Sequence, residues 1–121
     1  MLQLSHKNLQ VYQFSLKLVK EVYQHTKAYP KEEQYVLVSQ IRRAAISVCS
    51  NIAEGAARIS KHEKKRFYEI SRSSLVEVDT QIEISLILDY IKKDKINQLE
   101  VYLEATFKML SKMMNNLCAT K

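Results

Sequence analysis

The sequence is short of the residues that make turns. It contains one glycine, Gly55, and one proline, Pro30, in 121 residues. Sheet proteins and active sites built on loops need many such residues at their turns, whereas long helices joined by a few short connections need almost none. The scarcity therefore predicts an all-helical chain and argues against a catalytic site assembled from loops.

Other absences exclude further classes of protein. No stretch approaches the roughly 18 consecutive apolar residues of a membrane-spanning helix, and polar residues interrupt the N-terminal segment at once, so we expect no secretion signal. The two cysteines, Cys49 and Cys118, are therefore expected to be reduced, buried or semi-buried thiols rather than a disulfide. A cytoplasmic location follows as the default expectation.

The composition is that of an ordinary globular protein. Apolar residues make up 46% of the chain and charged residues 26%, which argues against disorder. A chain of 121 residues fits a single domain, so we predict one domain over residues 1–121.

Apolar residues recur at helical spacing in four segments. The predicted helices cover residues 7–28, 31–57 and 60–91, and the fourth begins at Asp94, its candidate cap. Ser60 and Glu63 match a capping box at the start of the third helix. Because the inferred connections are only a few residues long, consecutive helices should be antiparallel neighbours. The predicted fold is an antiparallel, up-and-down four-helix bundle.

Residue types within the last two helices predict how they pack. In the third helix, Ser71, Ser74 and Ser85 are small enough to let a neighbouring helix approach closely. In the fourth, one line of residues keeps a 4-3-4-3-4 spacing, which predicts a heptad seam of the kind that bundle helices share. That line consists of Leu99, Leu103, Thr106, Leu110, Met113 and Leu117.

The second helix has an unusually wide apolar face. One face contains Leu37, Ile41, Ala44, Ala45, Val48 and Ile52. Four more residues widen it to nearly half of the circumference or more, namely Tyr35, Ile46, Cys49 and Ala53. A helix that packs only inside a monomer needs a stripe somewhat over roughly 100 degrees wide, so the surplus predicts contact with another copy of the chain. Opposite this face runs a polar line of Gln40, Arg43, Ser47, Asn51, Glu54 and Arg58.

Positive charge is concentrated in one part of the sequence. The formal net charge is +6, and the window from Arg42 to Arg72 holds eight basic residues against three acidic ones. Such an excess can create a local potential that attracts polyanions, although a solvated helix face would also contain such a run. The candidate nucleic-acid contacts are Arg42, Arg43, Arg58, Lys61, Lys64, Lys65, Arg66 and Arg72.

The motifs of catalysis and metal binding are absent from the sequence. The three histidines, His6, His25 and His62, fall in different segments, and no Glu-x-x-His pair of the kind found in di-metal bundles occurs. There is no phosphate-binding glycine loop and no cysteine pair at zinc spacing. We therefore predict no metal, no cofactor, no catalytic residue and no enzymatic activity.

Three carboxylates deserve a separate interpretation. Glu54, Glu77 and Glu83 could act as acids or bases, but carboxylates between helices usually need a cationic partner. We expect them to pair with Arg43, Arg58 or Arg72 on neighbouring helices.

The segment from Gln40 to Gly55 resembles a bacterial family of four-helix bundles known as the 23S rRNA intervening-sequence proteins. Its most specific part is Ser47 followed by Asn51-Ile52-Ala53-Glu54-Gly55. The resemblance extends over most of the chain, through Tyr29-Pro30, Glu33, Leu37, Ser60, Glu63, Phe67, Ser74-Leu75, Glu77 and Gln81. One departure is Ser73, where the family pattern would have glycine.

The resemblance implies properties that the residues alone do not. The family is similar to the accessory protein of diversity-generating retroelements, a homopentameric barrel that binds nucleic acid and a reverse transcriptase, and no enzymatic activity attaches to it. Some members are encoded within insertions in 23S ribosomal RNA genes. The pattern positions Arg43, Asn51, Glu54 and Arg58 carry over without a defined role. Candidate structural or assembly residues are Gln40, Ile46, Ser47, Asn51, Ala53, Glu54, Gly55 and Glu77.

These observations predict a homo-oligomer that binds nucleic acid, RNA or a structured nucleic acid, through a basic surface pooled across subunits. The resemblance favours five copies in a ring. Arg42 and Arg43 would either join the basic surface or be buried in assembly contacts. The alternatives are an interaction scaffold for an acidic or nucleoprotein partner, such as a reverse transcriptase, and, third, a metal-dependent enzyme.

Overall fold

The computed structural model describes residues 1–119, and these residues form four long helices and no strand. The all-helical prediction is confirmed. The long helices are α1 (Gln10–Thr26), α2 (Leu37–Ala57), α3 (Lys61–Ile87) and α4 (Asn97–Ala119). Short 3-10 helices cover Ser5–Asn8, Lys31–Glu33 and Lys93–Lys95.

The helices pack in chain order. Each contacts the next, and α4 returns to pack against α1. Ser71 of α3 contacts Val48 of α2, and Ser74, further along α3, contacts Ser47, which comes earlier in α2. This descending register shows that α2 and α3 run antiparallel, as an up-and-down helical bundle requires.

The apolar face predicted for α2 forms one wall of the core. All six residues of that face are buried, and Ile41, Ala45, Val48 and Ile52 have no exposed surface. The surplus positions divide into two groups. Cys49 is buried and Ala53 is half-buried, whereas Tyr35 is 90% exposed and Ile46 is 44% exposed. Part of the surplus therefore packs inside the bundle, and part of it faces solvent.

Small residues bring α2 and α3 into close contact. The buried Ser71 hydroxyl donates to the Val48 carbonyl at 2.8 Å, and the Ser47 and Ser74 hydroxyls share a hydrogen bond of 2.9 Å. At Gly55, an added Cβ would lie only 2.7 Å from the Tyr68 ring. The predicted close approach is confirmed for Ser71 and Ser74. Ser85 is also buried, but it donates to the Gln81 carbonyl of its own helix.

The start of α2 differs from the sequence prediction. The predicted helix begins at Lys31, whereas the regular helix begins at Leu37 after a 3-10 turn. Val36 has φ −119° and ψ −93°, which interrupts helical geometry. This irregular connection lets Tyr29, Leu37 and Val38 pack with Tyr90 in a second, smaller apolar cluster. Tertiary packing of the connection has overridden local helix propensity.

The end of α3 also differs from the prediction. The helix stops at Ile87 rather than near Ile91 because a Schellman motif ends it. Asp89 has the left-handed φ of 60°, its N–H donates to Leu86 O at 3.1 Å, and the Tyr90 N–H donates to Ser85 O at 2.9 Å. The Tyr90 hydroxyl then donates to Glu33 at 2.8 Å, which ties this connection to the one before α2.

The remaining helix boundaries confirm one cap and correct another. Ser60 caps α3, with its hydroxyl accepting the Glu63 N–H at 3.1 Å, as predicted. Asp94 lies within a 3-10 helix and does not cap α4, which begins at Asn97. The break predicted between residues 57 and 60 occurs at residues 58–60, and Gly55 is helical. Only this α2–α3 connection is as short as predicted.

The predicted heptad seam of α4 holds for the first four of its six residues. Leu99, Leu103, Thr106 and Leu110 are buried, but the next buried residue is Met114 rather than Met113. A straight helix drifts from a strict seven-residue repeat because it has 3.6 residues per turn. The buried line of α4 therefore follows the ordinary helical period.

The two cysteines are free, but they differ in environment. Cys49 is buried, as predicted, and burial raises the pKa of its thiol. Cys118 is exposed, which corrects the expectation that both are at least semi-buried. Over residues 1–119, no helix is both long enough and apolar enough to cross a membrane.

We expect Gly55→Ala to destabilise the bundle. The helix-propensity gain of about 1 kcal/mol is opposed by overpacking against Tyr68 and Phe67, which typically costs about 1–3 kcal/mol. Urea denaturation should therefore show a net loss of about 1 kcal/mol in the free energy of unfolding. Ser50→Ala, at an exposed position of the same helix, is the matched control and should be neutral or stabilising. A stabilising Gly55→Ala would contradict the close contact.

Candidate nucleic-acid interface

The eight predicted basic contacts do not form one surface. Arg42 and Arg43 belong to α2 and lie sixteen and fifteen positions before Arg58, which directly follows that helix. This spacing corresponds to about 24 Å along the helix axis. The other six lie at the α2–α3 turn and along the first three turns of α3. The basic window in the sequence therefore divides into two separate regions of the bundle.

Arg42 has an intramolecular role. Its Nε donates to the Thr26 hydroxyl at 2.9 Å, and its guanidinium lies 4.4 Å from the centre of the Tyr23 ring. Both partners belong to α1, and Arg42 is half-buried. The side chain thus joins α1 to α2 and lies apart from the basic residues of the α2–α3 turn and of α3.

Arg43 belongs to a polar cleft between α2 and α3. The cleft has a volume of about 270 Å³ and is lined by Gln40, Arg43, Ala44, Ser47, Ser74, Glu77 and Gln81. Asn51 lies beside it and donates to the Ser47 carbonyl at 2.8 Å and to the Ser47 hydroxyl at 3.0 Å. The polar line predicted on α2 therefore faces α3 in part. Ser47 joins the two helices through Ser74, and Asn51 contacts Ser47 from within α2.

Two arginines near the α2–α3 turn share one aromatic ring. The guanidinium of Arg58 lies 4.7 Å from the centre of the Phe67 ring, and that of Arg66 lies 5.6 Å from it. Arg58 also donates to Glu54 at 3.0 Å. The two arginine side chains remain 44% and 60% exposed, so both present charge to solvent in a defined position.

The neighbouring lysines have different surroundings. The Lys64 ammonium donates to the Ala56 carbonyl at 3.0 Å and to that of Gly55 at 3.5 Å, where it stabilises the negative end of the α2 dipole. A hydrogen bond to Cys118 raises the pKa of Lys65. Lys65 also lines a shallow groove of about 240 Å³ with His62, Arg66 and Glu69. Lys64 therefore serves the fold, whereas Lys65 lines the exposed surface.

Arg72 connects this region to α4. Its Nη1 donates to the Ser111 hydroxyl at 3.1 Å, and its guanidinium lies 5.7 Å from the centre of the Phe107 ring. Lys108 directly follows Phe107 in α4 and Lys112 directly follows Ser111, and both lysines are exposed. These two lysines lie outside the basic window of the sequence, so the window alone does not identify them. Pairing the predicted α3 with an antiparallel α4 would have placed them beside it.

Charge is divided between the two ends of the α3–α4 hairpin. Residues 58–72 and 105–119 hold eight basic and two acidic side chains, and we call this part the basic end. Residues 73–104 hold seven acidic and three basic side chains, and we call this part the acidic end. A pocket of about 140 Å³ at the acidic end is lined in part by Asp79, Glu83, Glu100 and Glu104.

This division is unfavourable for α3 itself. A helix N-terminus carries partial positive charge and is stabilised by acidic side chains, yet the first two turns of α3 contain Lys61, Lys64, Lys65 and Arg66 against Glu63. Acidic residues occupy the C-terminal half, where cations would be preferred. The basic residues of α3 also lie beside those of α4. Lys64 offsets part of this cost, because its ammonium donates to the carbonyls at the end of α2.

The predicted carboxylate pairing between helices is only partly correct. Glu54 does pair with Arg58, but within one turn rather than between helices. Glu77 and Glu83 are exposed, and within residues 1–119 neither forms an ion pair. Over the same residues, no group of three histidine, cysteine or acidic side chains is placed to hold a metal ion.

Comparison with known proteins gives a family match and a structural match. Residues 7–112 match the family described as 23S rRNA-intervening sequence protein. The fold is similar to that of a crystal structure from Bacteroides thetaiotaomicron, a protein of unknown function from the S23 ribosomal protein family. The TM-score is 0.77 at 20% identity, over 87% of this chain and 95% of that one. This identity supports the shared fold alone. No curated protein matches the chain.

We expect Arg42→Ala to weaken the fold. The variant loses the stacking on Tyr23 and the hydrogen bond to Thr26, together worth about 1–2 kcal/mol. Arg43→Ala, the exposed neighbour on the same helix, is the control and should change the free energy of unfolding by less than about 0.5 kcal/mol. Urea denaturation measures both. Equal losses would contradict the intramolecular role of Arg42.

Proposed function

We propose that this chain, which belongs to the 23S rRNA-intervening sequence protein family, is a non-enzymatic, homo-oligomeric protein that binds structured nucleic acid, RNA in particular. The binding surface is the basic end of the α3–α4 hairpin. Several copies pool these surfaces into a larger positive region.

The observation that carries the proposal is the placement of lysine and arginine against the dipole of α3. Lys61 and Lys65 lie in its first two turns, and Lys108 and Lys112 of α4 bring further positive charge to the same end. These groups have the same charge and lie at one end of the hairpin, so there is repulsion among them. An external polyanion would relieve it, because each phosphate contact neutralises charge and releases condensed counterions.

The side-chain geometry suits phosphate contacts. Phe67 supports the guanidiniums of Arg58 and Arg66, and Glu54 further fixes Arg58. Because the guanidinium groups are already oriented, little conformational entropy is lost when they bind phosphate oxygens. Contacts of this kind position a protein on the sugar–phosphate backbone and do not read base sequence. The expected binding is strongly dependent on salt and only weakly dependent on sequence.

We expect Lys65→Gln combined with Arg66→Gln to weaken binding to an RNA hairpin. Loss of two phosphate contacts should lower the affinity at moderate salt by roughly tenfold, and the slope of log affinity against log salt concentration should shrink by up to about two. Fluorescence anisotropy measures both quantities at KCl concentrations from about 50 to about 200 mM, a range that includes physiological ionic strength.

The matched control is Lys92→Gln combined with Lys95→Gln. It makes the same change in net charge at two exposed lysines of the acidic end, and it should change the affinity and the slope much less. Equal effects of the two double variants would show that only net charge matters. Weak, salt-insensitive binding by the wild-type protein would overturn the proposed function.

Exposed apolar residues just before α2 and in its first half support the homo-oligomer. Tyr35 is 90% exposed, Val36 53% and Ile46 44%. A groove of about 380 Å³ is lined by Tyr23, Gln34, Tyr35, Val38, Ser39, Arg42, Arg43 and Ile46. Such a surface is most simply covered by another copy. A ring of five copies rests on the family resemblance alone.

We expect the wild-type protein to have a mass several times 14.1 kDa by light scattering, and Ile46→Glu to lower it because a charge would be buried at the contact between copies. Val101→Glu is the control, since Val101 is 52% exposed on α4, away from this groove. A wild-type monomer at micromolar concentration would overturn the assembly. Equal dissociation by both variants would move the contact elsewhere.

A protein partner is the second candidate ligand. The observation in its favour is an apolar groove between α3 and α4 of about 280 Å³, lined by Leu75, Val76, Asp79, Leu103, Glu104 and Phe107. The groove lies mostly at the acidic end, next to the basic end. An apolar segment of a partner would occupy the groove, while acidic side chains or nucleic acid of the same partner, such as a reverse transcriptase complex, would contact the basic end. Binding that survives nuclease treatment would favour this candidate.

A further inference from the structure

One apolar side chain lies at the tip of the basic end. Ile59 is 99% exposed and forms the centre of the three-residue turn between α2 and α3. Burying an isoleucine stabilises a protein by about 2–3 kcal/mol, and this one gains none of it from the fold. Isolated exposed apolar residues are common on protein surfaces, but Ile59 lies in an anchored turn and has several cationic neighbours.

The turn is fixed on both sides. The Arg58 N–H donates to Gly55 O at 3.2 Å, which closes the end of α2. Ser60 accepts the Glu63 N–H at 3.1 Å, and the Lys64 ammonium donates to Ala56 O at 3.0 Å across the turn. The backbone on each side of Ile59 is therefore anchored. Such a side chain can enter a binding site at little cost in backbone entropy.

Cationic side chains surround the apolar tip. Arg58 precedes Ile59, and the exposed Lys61 follows two residues later. Arg66 is brought to the same region because it shares the Phe67 ring with Arg58. Proteins that bend or open nucleic-acid helices combine these two features, with cations on the phosphates and an aliphatic side chain inserted between bases.

We propose that Ile59 is a wedge that inserts at an unstacked base step, and that the preferred ligand is an RNA helix interrupted by a bulge. This inference rests on the proposed nucleic-acid-binding function and defines the ligand more narrowly. Energetics select the bulge. Separating an intact step costs a few kcal/mol, as much as burial of one isoleucine returns. At a bulge the bases are already partly unstacked, so the cost is smaller.

The test compares two RNA duplexes, one intact and one with a single-nucleotide bulge, in titrations of wild-type protein and of Ile59→Ala. We expect wild-type protein to bind the bulged duplex about tenfold more tightly, because about 1.4 kcal/mol corresponds to that ratio. Ile59→Ala should bind both duplexes with the affinity of the intact one. Its salt slope should be unchanged, since no charge is removed.

Two further variants make the test specific. Ile59→Leu keeps an aliphatic side chain and should keep the preference for the bulge. Ile87→Ala removes another exposed isoleucine, 75% exposed at the end of α3 and far from the basic end, and should also keep it. The Ile59 side chain makes no core contact, so the variant should fold normally, which its thermal unfolding curve checks.

The outcomes separate this inference from the proposed function. If the wild-type protein binds neither duplex, the proposed function itself fails. If it binds both duplexes equally, or if Ile59→Ala keeps the preference for the bulge, the wedge is overturned while nucleic-acid binding stands. An equal loss of affinity for both duplexes would also overturn it, because Ile59 would then contact the helix without entering it.

Discussion

The close approach of α2 and α3 is the constraint on which the rest of the structure depends. The Ser71 hydroxyl donates to the Val48 carbonyl, and the Ser47 and Ser74 hydroxyls share a hydrogen bond. Gly55 leaves room for the Tyr68 ring. Larger side chains at these positions would separate the helices. Phe67 lies next to this contact, so the separation of the helices also decides whether its ring can support the arginine at the end of α2.

The packing of neighbouring helices explains why some cations belong to the fold and others do not. Arg42 packs on α1, Lys64 satisfies carbonyls at the end of α2, and Arg72 reaches α4. Each would leave a helix end or a helix pair weaker if it were removed. Arg58 and Arg66 pair with acidic residues within one turn, Glu54 and Glu63, and their side chains remain partly exposed. A basic sequence window is therefore a poor guide to a basic surface until the helices have been assigned their neighbours.

The sequence predicted the helices and the core well because both follow from short-range periodicity. The buried face of α2, the cap at Ser60 and the small serines of α3 all obey rules that involve neighbouring turns of helix. The boundaries at Leu37 and Ile87 depend on contacts between two distant connections, such as Tyr90 with Glu33, which no local pattern contains. Likewise, Lys108 and Lys112 join the candidate interface only through antiparallel packing. The exposure of Cys118 likewise depends on which face of α4 packs against its neighbours.

Only one glycine occurs in the chain, and it lies at a helix contact, so the left-handed position that ends α3 is occupied by Asp89 instead. Aspartate tolerates this conformation better than most residues but less well than glycine. Some strain therefore remains in the connection between α3 and α4. Local opening of the bundle should begin there, at the acidic end. The basic end has a short turn that is anchored on both sides, so it would stay ordered while the acidic end opens.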